Sequence, residues 1–340
     1  MALTVRPDDE RLSWLGAVSL QKENGWVMPW RIPYEQRDLF PEALWNAASM
    51  PAGVRIAFRS DTTCVAGNVT PIDGMAPIDL CCDGELVGSV EMSKQPAFAF
   101  DGLSEGDKLV ELWLPQRAQF RLSALELSDG ASLEPHADTR LKWITYGSSI
   151  SHCGGATSPV YTWPGIVARE QGLDLTCFGY GGQCHLDPMM ARLMRDLPAD
   201  VVSLKVGINI KGGSTLNPRS FRAAIIGSVK TIRDGHPNIP VVVLSPIFAP
   251  PHEQAPNAVG FTIEMMRDEV VAAVAALRNH GDANVYYVSG LELLGTDDEG
   301  LLLEDGVHPS ADGYKAMGRN FVDRVAAKLF PSVPNSQQVA

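Results

Sequence analysis

Asp305-Gly306-Val307-His308 sets a carboxylate and an imidazole three residues apart, just before Pro309. Within one turn the carboxylate can reach one ring nitrogen, fix the tautomer and leave the other nitrogen to act as a base. A base needs a nucleophile to serve. Gly147-Ser148-Ser149-Ile150-Ser151-His152 offers hydroxyls directly after an apolar run that stops at a glycine. A serine hydroxyl is a poor nucleophile at neutral pH until an adjacent base takes its proton. Attack on a carbonyl then creates an oxyanion, and each donor aimed at it is typically worth ~3 kcal/mol of barrier. Gly179-Tyr180-Gly181-Gly182-Gln183 and Gly207-Ile208-Asn209 can supply such donors. They are the backbone N–H groups of Ser149 and Gly182 and the side-chain amide of Asn209. Glycine at 182 lets a backbone amide approach a substrate closely. The set is that of acyl transfer, with Ser149 as nucleophile, His308 as base and Asp305 as its orienter.

These stretches lie far apart, so the fold has to gather them. Apolar runs at 141–147, 173–178, 200–206, 240–245 and 284–288 read as strands. Val201-Val202-Ser203-Leu204 and Val241-Val242-Val243-Leu244 are nearly continuous, the pattern of strands buried on both faces of a parallel sheet. Between the last two strands Ile263, Met266, Val270, Val274 and Leu277 form an amphipathic helical stripe, and Tyr314, Met317, Phe321, Val325 and Leu329 repeat it at the end. Asn217-Pro218 is a helix start, a cap followed by a first-turn proline. Alternating strands and helices predict a doubly wound α/β domain over 136–334, with the site at the carboxyl ends of the strands. Residues 335–340 are expected to be a flexible tail.

Before residue 135 the character differs. Val54-Arg55-Ile56-Ala57-Phe58, Leu109–Leu114 and Phe120–Leu125 are short runs between turn residues, and the first alternates as a half-buried strand does. Gly67-Asn68 and Asp83-Gly84 are expected hairpin turns. Residues 1–135 therefore read as a β-sandwich, and 128–136 as a solvated link.

The chain resembles the SGNH hydrolases, also called GDSL esterases/lipases. Gly147-Ser148-Ser149-Ile150 is similar to the family's first block, with Ser149 at the nucleophile position. Gly182 corresponds to the glycine of the second block, Gly207-Ile208-Asn209 to the third and Asp305-x-x-His308 to the last, all in family order over roughly 140–330. The resemblance implies the three-layer, flavodoxin-like form of the sheet. It also implies a jelly-roll-like sandwich before it, as in some two-domain members. Two positions depart from the pattern. Ser148 stands where an aspartate is usual, so the hydrogen bonds of the nucleophile loop must be made differently. Ile210 follows Asn209 where many members carry aspartate. Position 151 is serine, so no Gly-x-Ser-x-Gly elbow is formed.

Other residues fall near the expected site. Tyr180 and Phe248 are candidate substrate contacts, with Met189, Pro250, Pro251 and His252 as further wall. His152, Cys153, Cys184 and His185 fall in loops that should be neighbours. Packing beneath the site or lining the pocket is the expected role; a zinc or copper site and a disulfide are the alternatives. Trp30-Arg31-Ile32-Pro33-Tyr34 is expected to anchor a domain interface, with substrate contact as the alternative. Met189, Met190, Leu193 and Met194 read as core, and Asp297-Asp298-Glu299 as a solvated loop.

Composition narrows the class. The 340 residues carry a net charge of -12, which disfavours nucleic acid and anionic membranes. No apolar run is long enough to span a bilayer. The N-terminus lacks a signal core, so a cytoplasmic setting is expected, with the six cysteines mostly free. No metal or cofactor is required by the serine mechanism. The expected activity is hydrolysis of a small acyl ester through an acyl-enzyme. Acyl transfer on the same residues is the alternative, and an inactive sugar-binding protein a more distant one. By family analogy the ester sits on a carbohydrate or natural product; acyl chain, alcohol and oligomeric state are not legible.

Overall fold

The computed structural model describes residues 2–331; the tail expected at 335–340 lies outside the described residues. The N-terminal part holds two antiparallel sheets. One runs Ser19–Glu23, Trp26–Trp30, Leu122–Leu127, Cys64–Val69, Ala97–Asp101, with Leu3–Val5 also on Leu122–Leu127. The other runs Glu134–Pro135, Arg55–Ser60, Lys108–Trp113, Ile78–Cys82, Glu85–Val90, with Ser13–Leu15 on Arg55–Ser60. Ile56, Phe58, Leu80 and Leu112 of one sheet share a core with Val65, Phe98, Leu122 and Leu125 of the other. Each such side chain contributes about 1.5–3 kcal/mol by leaving water.

Three expectations for this region need correction. Gly67-Asn68 is not a turn but the interior of strand Cys64–Val69, paired with Phe98 and Ala97. The glycine is there because the Phe98 ring occupies the space a Cβ would need. The run at 54–58 is not half-buried: Arg55 and Ala57, on its outer face, are as inaccessible as Ile56 and Phe58. That outer face is covered by the second domain. The link at 128–136 is not simply solvated either. Ser128 Oγ and Thr62 Oγ1 are 3.0 Å apart, Leu133 is buried, and Glu134–Pro135 pairs with Arg55–Ser60. Asp83-Gly84 does form the expected hairpin turn, with φ of 49° and 85°.

The C-terminal part holds a parallel sheet of β1 (Leu141–Gly147), β2 (Leu173–Gly179), β3 (Val201–Lys205), β4 (Val241–Leu244) and β5 (Val285–Val288), in the order β2-β1-β3-β4-β5. Its helices are α1 (Ser149–His152), α2 (Trp163–Glu170), α3 (Pro188–Asp196), α4 (Ile208–Gly213), α5 (Pro218–Gly235), α6 (Ile263–Asn279) and α7 (Ala311–Phe321). Ile144, Tyr146, Val202, Leu204 and Val243 face α3, α5 and α6 on one side; Trp143, Val201, Val242 and Leu244 face α2 and α7 on the other. Side chains alternate along each strand, so both faces demand apolar residues and the runs read as continuous. Asn217 caps α5 in a capping box, and Thr262 and Ser310 cap α6 and α7. The final stripe is not one regular α-helix: a π turn at Val322–Ala326 follows α7.

β2 is an edge strand, and an unpaired edge leaves carbonyls open. Two arginines of the N-terminal domain close it. Arg55 Nη1 donates to Leu175 O at 3.1 Å, and Arg31 Nη1 donates to Cys177 O at 3.0 Å and Gly179 O at 2.7 Å. Arg55 also pairs with Asp174 at 2.7 Å and Glu111 at 3.4 Å, and the partly exposed Arg140 and Lys142 extend this network outward. Trp30, Arg31 and Ile32 are buried at the junction of the two domains.

Candidate active site

Each expected residue sits in a loop after a strand. β1 ends at Gly147, Ser148 is the N-cap of α1, and Ser149 is its first residue. Ser148 Oγ accepts from the Ile150 N–H at 3.2 Å, so the serine makes the capping bond that an aspartate can make. The Ser149 N–H lies in the first turn, where a helix offers its amides no internal acceptor. Helix α1 lies directly on β2, and a Cβ at Gly179 would collide with the Ser151 and His152 backbone.

His308 comes from the loop before α7. Leu303 N donates to His308 O at 2.8 Å and Ser310 N to Leu301 O at 2.8 Å, a short ladder that holds the turn. The segment Thr296–Leu301 beside it is a 3-10 turn whose Asp298 accepts from the Gly295 N–H, a capping role. Asp305 Oδ1 accepts from the Val307 and His308 N–H groups at 2.8 and 2.9 Å, and Oδ2 lies 2.6 Å from His308 Nδ1. Slight burial favours the neutral acid. The hydrogen bonds from His308 and Val307 outweigh it and hold the carboxyl down at about 2. Asp305 is therefore an acceptor only, so Nδ1 carries the proton and Nε2 presents its lone pair. Ser149 Oγ lies 2.8 Å from that Nε2. The structure thus unites residues 149, 305 and 308, and it leaves them open to solvent: the His308 and Asp305 side chains are 37% and 49% exposed.

The second and third loops meet beside Ser149. A Cβ on Gly181 would stand 3.9 Å from Ser149 Cβ. Gly182 has φ of +73° and open space where a Cβ would lie. The left-handed backbone there favours glycine, a reason independent of the close amide approach expected from the sequence. Asn209 Oδ1 accepts from the Cys184 N–H at 3.0 Å, which ties the two loops and turns the amide NH2 away from that bond. His185 Nε2 donates to Gly182 O at 2.9 Å, so its Nδ1 accepts from Thr215 Oγ1 at 2.8 Å.

Of the substrate candidates, Tyr180 needs correction. It is fully buried, stacked with Phe178, and its hydroxyl donates to Arg31 O at 2.8 Å. A hydrophobic ring next to the edge-strand arginine belongs in the domain junction, so it cannot wall a pocket. Phe248 is partly exposed, and Pro251 lies against Gly306 in the Asp305–His308 turn. Met190, Leu193 and Met194 are core, as expected.

The four residues 152, 153, 184 and 185 do not converge on one point. His152 is buried and its Nε2 donates to Gln116 O at 2.7 Å; burial first, then the charge of Arg31, pushes it down to about 3. Cys153 Sγ turns to Ile150 O and Cys184 Sγ to Lys205 O. All six cysteines are free, and among the described residues no group of three or more His, Cys, Asp or Glu is placed to hold a metal. Lys205, which burial lowers to about 8 beneath these loops, and Gln116, which holds α1 from the N-terminal domain, carry no local sequence signal. Neither lies in a recognisable motif.

Residues 141–326 match the GDSL-like lipase/acylhydrolase family, and residues 12–123 match the N-terminal domain of SsfX3. The chain belongs to the GDSL-like lipase/acylhydrolase family. It is an enzyme of the acyl-transferring serine-hydrolase type. Several solved structures are similar to it across both domains. One is the salicylyl-acyltransferase SsfX3 from a tetracycline biosynthetic pathway, 37% identical over 96% of this chain and 97% of that one, with a TM-score of 0.90. A GDSL-like lipase from Bacteroides ovatus is 20% identical over 96% and 98%, with a TM-score of 0.78. A family two carbohydrate esterase from Clostridium thermocellum is 14% identical over 97% and 99%, with a TM-score of 0.66. These last two share the fold alone. No curated protein matches this GDSL-like chain.

Proposed function

We propose that this chain is a serine esterase of small acyl esters, with residues 1–135 as accessory domain and 136–334 as a doubly wound catalytic domain. Ser149 Oγ attacks the ester carbonyl as His308 Nε2 takes its proton, forming the Oγ–C bond. Asp305 stabilises the imidazolium so formed. The Ser149 and Gly182 N–H groups and the Asn209 amide receive the oxyanion. The intermediate collapses, the C–O bond to the alcohol breaks, and His308 returns the proton to the leaving oxygen. Water then gives a proton to His308 Nε2 as its oxygen adds to the acyl carbon; the second intermediate collapses, the C–Oγ bond breaks, His308 returns the proton to Ser149 Oγ, and the acid leaves. The observation that carries the reading is the 2.8 Å approach of Ser149 Oγ to His308 Nε2, with Asp305 behind it. An inactive sugar-binding role finds no support in a triad held at bonding distance.

A second reading is favoured by the 37% identity, across both domains, to a salicylyl-acyltransferase. In it a hydroxyl of a natural product replaces water at the acyl-enzyme. Phe248, partly exposed in the loop whose Pro251 lies against Gly306 of the catalytic turn, is proposed to wall the acyl or acceptor site. Incubation with an aryl acyl donor and a panel of hydroxylated acceptors separates the two. Free acid at every acceptor concentration supports the esterase; acylated acceptor at the expense of free acid supports transfer.

A further inference from the structure

Arg31 is a fully buried arginine with no carboxylate beside it among the described residues. Its donors end on main-chain carbonyls: Nε on Met50 O at 2.6 Å, Nη2 on Ala47 O at 2.7 Å, and Nη1 on Cys177 O and Gly179 O at 3.0 and 2.7 Å. Its guanidinium also stands 4.8 Å from the centre of the Tyr180 ring. Arg55, next to it along the same edge, has Asp174 and Glu111 as partners. A charge held by carbonyl dipoles and one aromatic ring, with no counter-charge, is an expensive way to join two domains, since an apolar contact would do so at less cost.

What lies next to Arg31 gives it a purpose. Tyr180 donates its hydroxyl back to Arg31 O at 2.8 Å, its N–H donates to Gly147 O at 2.9 Å, and its carbonyl accepts from Gln183 N at 3.0 Å. Tyr180 is thus tied at once to the N-terminal domain, to the end of the nucleophile strand and to the turn that contains Gly181 and Gly182. We propose that Arg31 is a positioning residue, fixing Gly179 and Tyr180 so that the Gly182 N–H is aimed at the oxyanion. The accessory domain thereby completes the oxyanion site of the catalytic domain. This rests on the proposed oxyanion role of Gly182.

The test compares Arg31→Lys and Tyr180→Phe with the wild type in nitrophenyl acetate kinetics, fluorophosphonate labelling and thermal unfolding. A donor that misses the oxyanion weakens the transition state and not the ground state. Both variants are therefore expected to lose kcat by about 10-fold or more at nearly unchanged KM, and to label more slowly by a similar factor. Folded variants with wild-type kcat and labelling rate overturn the proposal, whatever their melting temperature. If Arg31→Lys does not fold, Arg31→Gln, which keeps a donor for the Gly179 carbonyl, is read in its place; Tyr180→Phe removes only the hydroxyl that bonds the Arg31 main-chain oxygen and tests the accessory domain's hold on the turn. A wild type that resists labelling, or a Ser149→Ala variant that keeps activity, defeats the underlying serine mechanism instead. A labelled wild type and an inactive Ser149→Ala, with full-rate Arg31→Lys and Tyr180→Phe, defeat the positioning role alone.

Discussion

Arg31 and Arg55 stand side by side along the open edge of β2, and between them they occupy the carbonyls of residues 175, 177 and 179. The sandwich therefore seals the edge of the catalytic sheet in place of a sixth strand, and the two domains share one buried polar junction.

Breaking that junction at Arg55 should destabilise the protein. Arg55→Met keeps the volume but leaves Asp174 and Leu175 O short of a donor and Glu111 short of one counter-charge. Losing one partner of a buried pair costs about 3–5 kcal/mol. The lower end, about 3 kcal/mol, is expected here because Lys142 and Arg140 remain beside the two carboxylates. Urea unfolding followed by tryptophan fluorescence checks it; an unchanged midpoint would show that the network contributes little.

The junction is also where the sequence was least legible. The strands of the parallel sheet and the loops after them carry local signals: apolar runs, caps, glycines and an Asp-x-x-His turn. Those signals placed Ser149, Asp305 and His308 together. The orientation of Tyr180, the strand role of Gly67 and the packing of 128–136 have no local signal. Arg31 and Gly179 are 148 residues apart in sequence, and their contact exists only once two domains have docked. A glycine under a phenylalanine ring and a glycine in a turn look alike until the facing strand is known.

Removing the orienting carboxylate should cripple turnover without unfolding the chain. In Asp305→Asn the side chain no longer stabilises the imidazolium and can favour the wrong tautomer. Loss of kcat by about 10²- to 10⁴-fold is expected, the range being wide because Asp305 is half exposed and water can partly replace it. Steady-state kinetics with a nitrophenyl ester measure this; a loss under threefold would contradict the assigned role.

Asn209→Ala removes one proposed oxyanion donor and the acceptor of the Cys184 N–H. A fall of about 10²- to 10³-fold in kcat with KM nearly constant is expected. A rise in KM at constant kcat would instead assign Asn209 to ground-state binding.

Stability should decline with acid in a defined window. His152 is held down at about 3 against an ordinary value of 6.5, so between those values the unfolded chain binds a proton that the fold refuses. Stability is then fully present above pH 6.5 and falls as the pH drops, by at most about 1.4 kcal/mol per pH unit for one proton. Asp305, at about 2 against 3.8, adds a loss of the same sign below 3.8. Urea midpoints between pH 7 and 5 should drop for the wild type and drop less for His152→Gln. Equal slopes in the two proteins would refute the assignment to His152.

The most direct test of the central claim is intact-mass and peptide analysis after reaction with a fluorophosphonate. The account predicts one phosphonyl adduct per chain, on Ser149, with loss of activity in proportion and no adduct in Ser149→Ala. Full activity after treatment, or an adduct on another residue that tracks the inactivation, would contradict it.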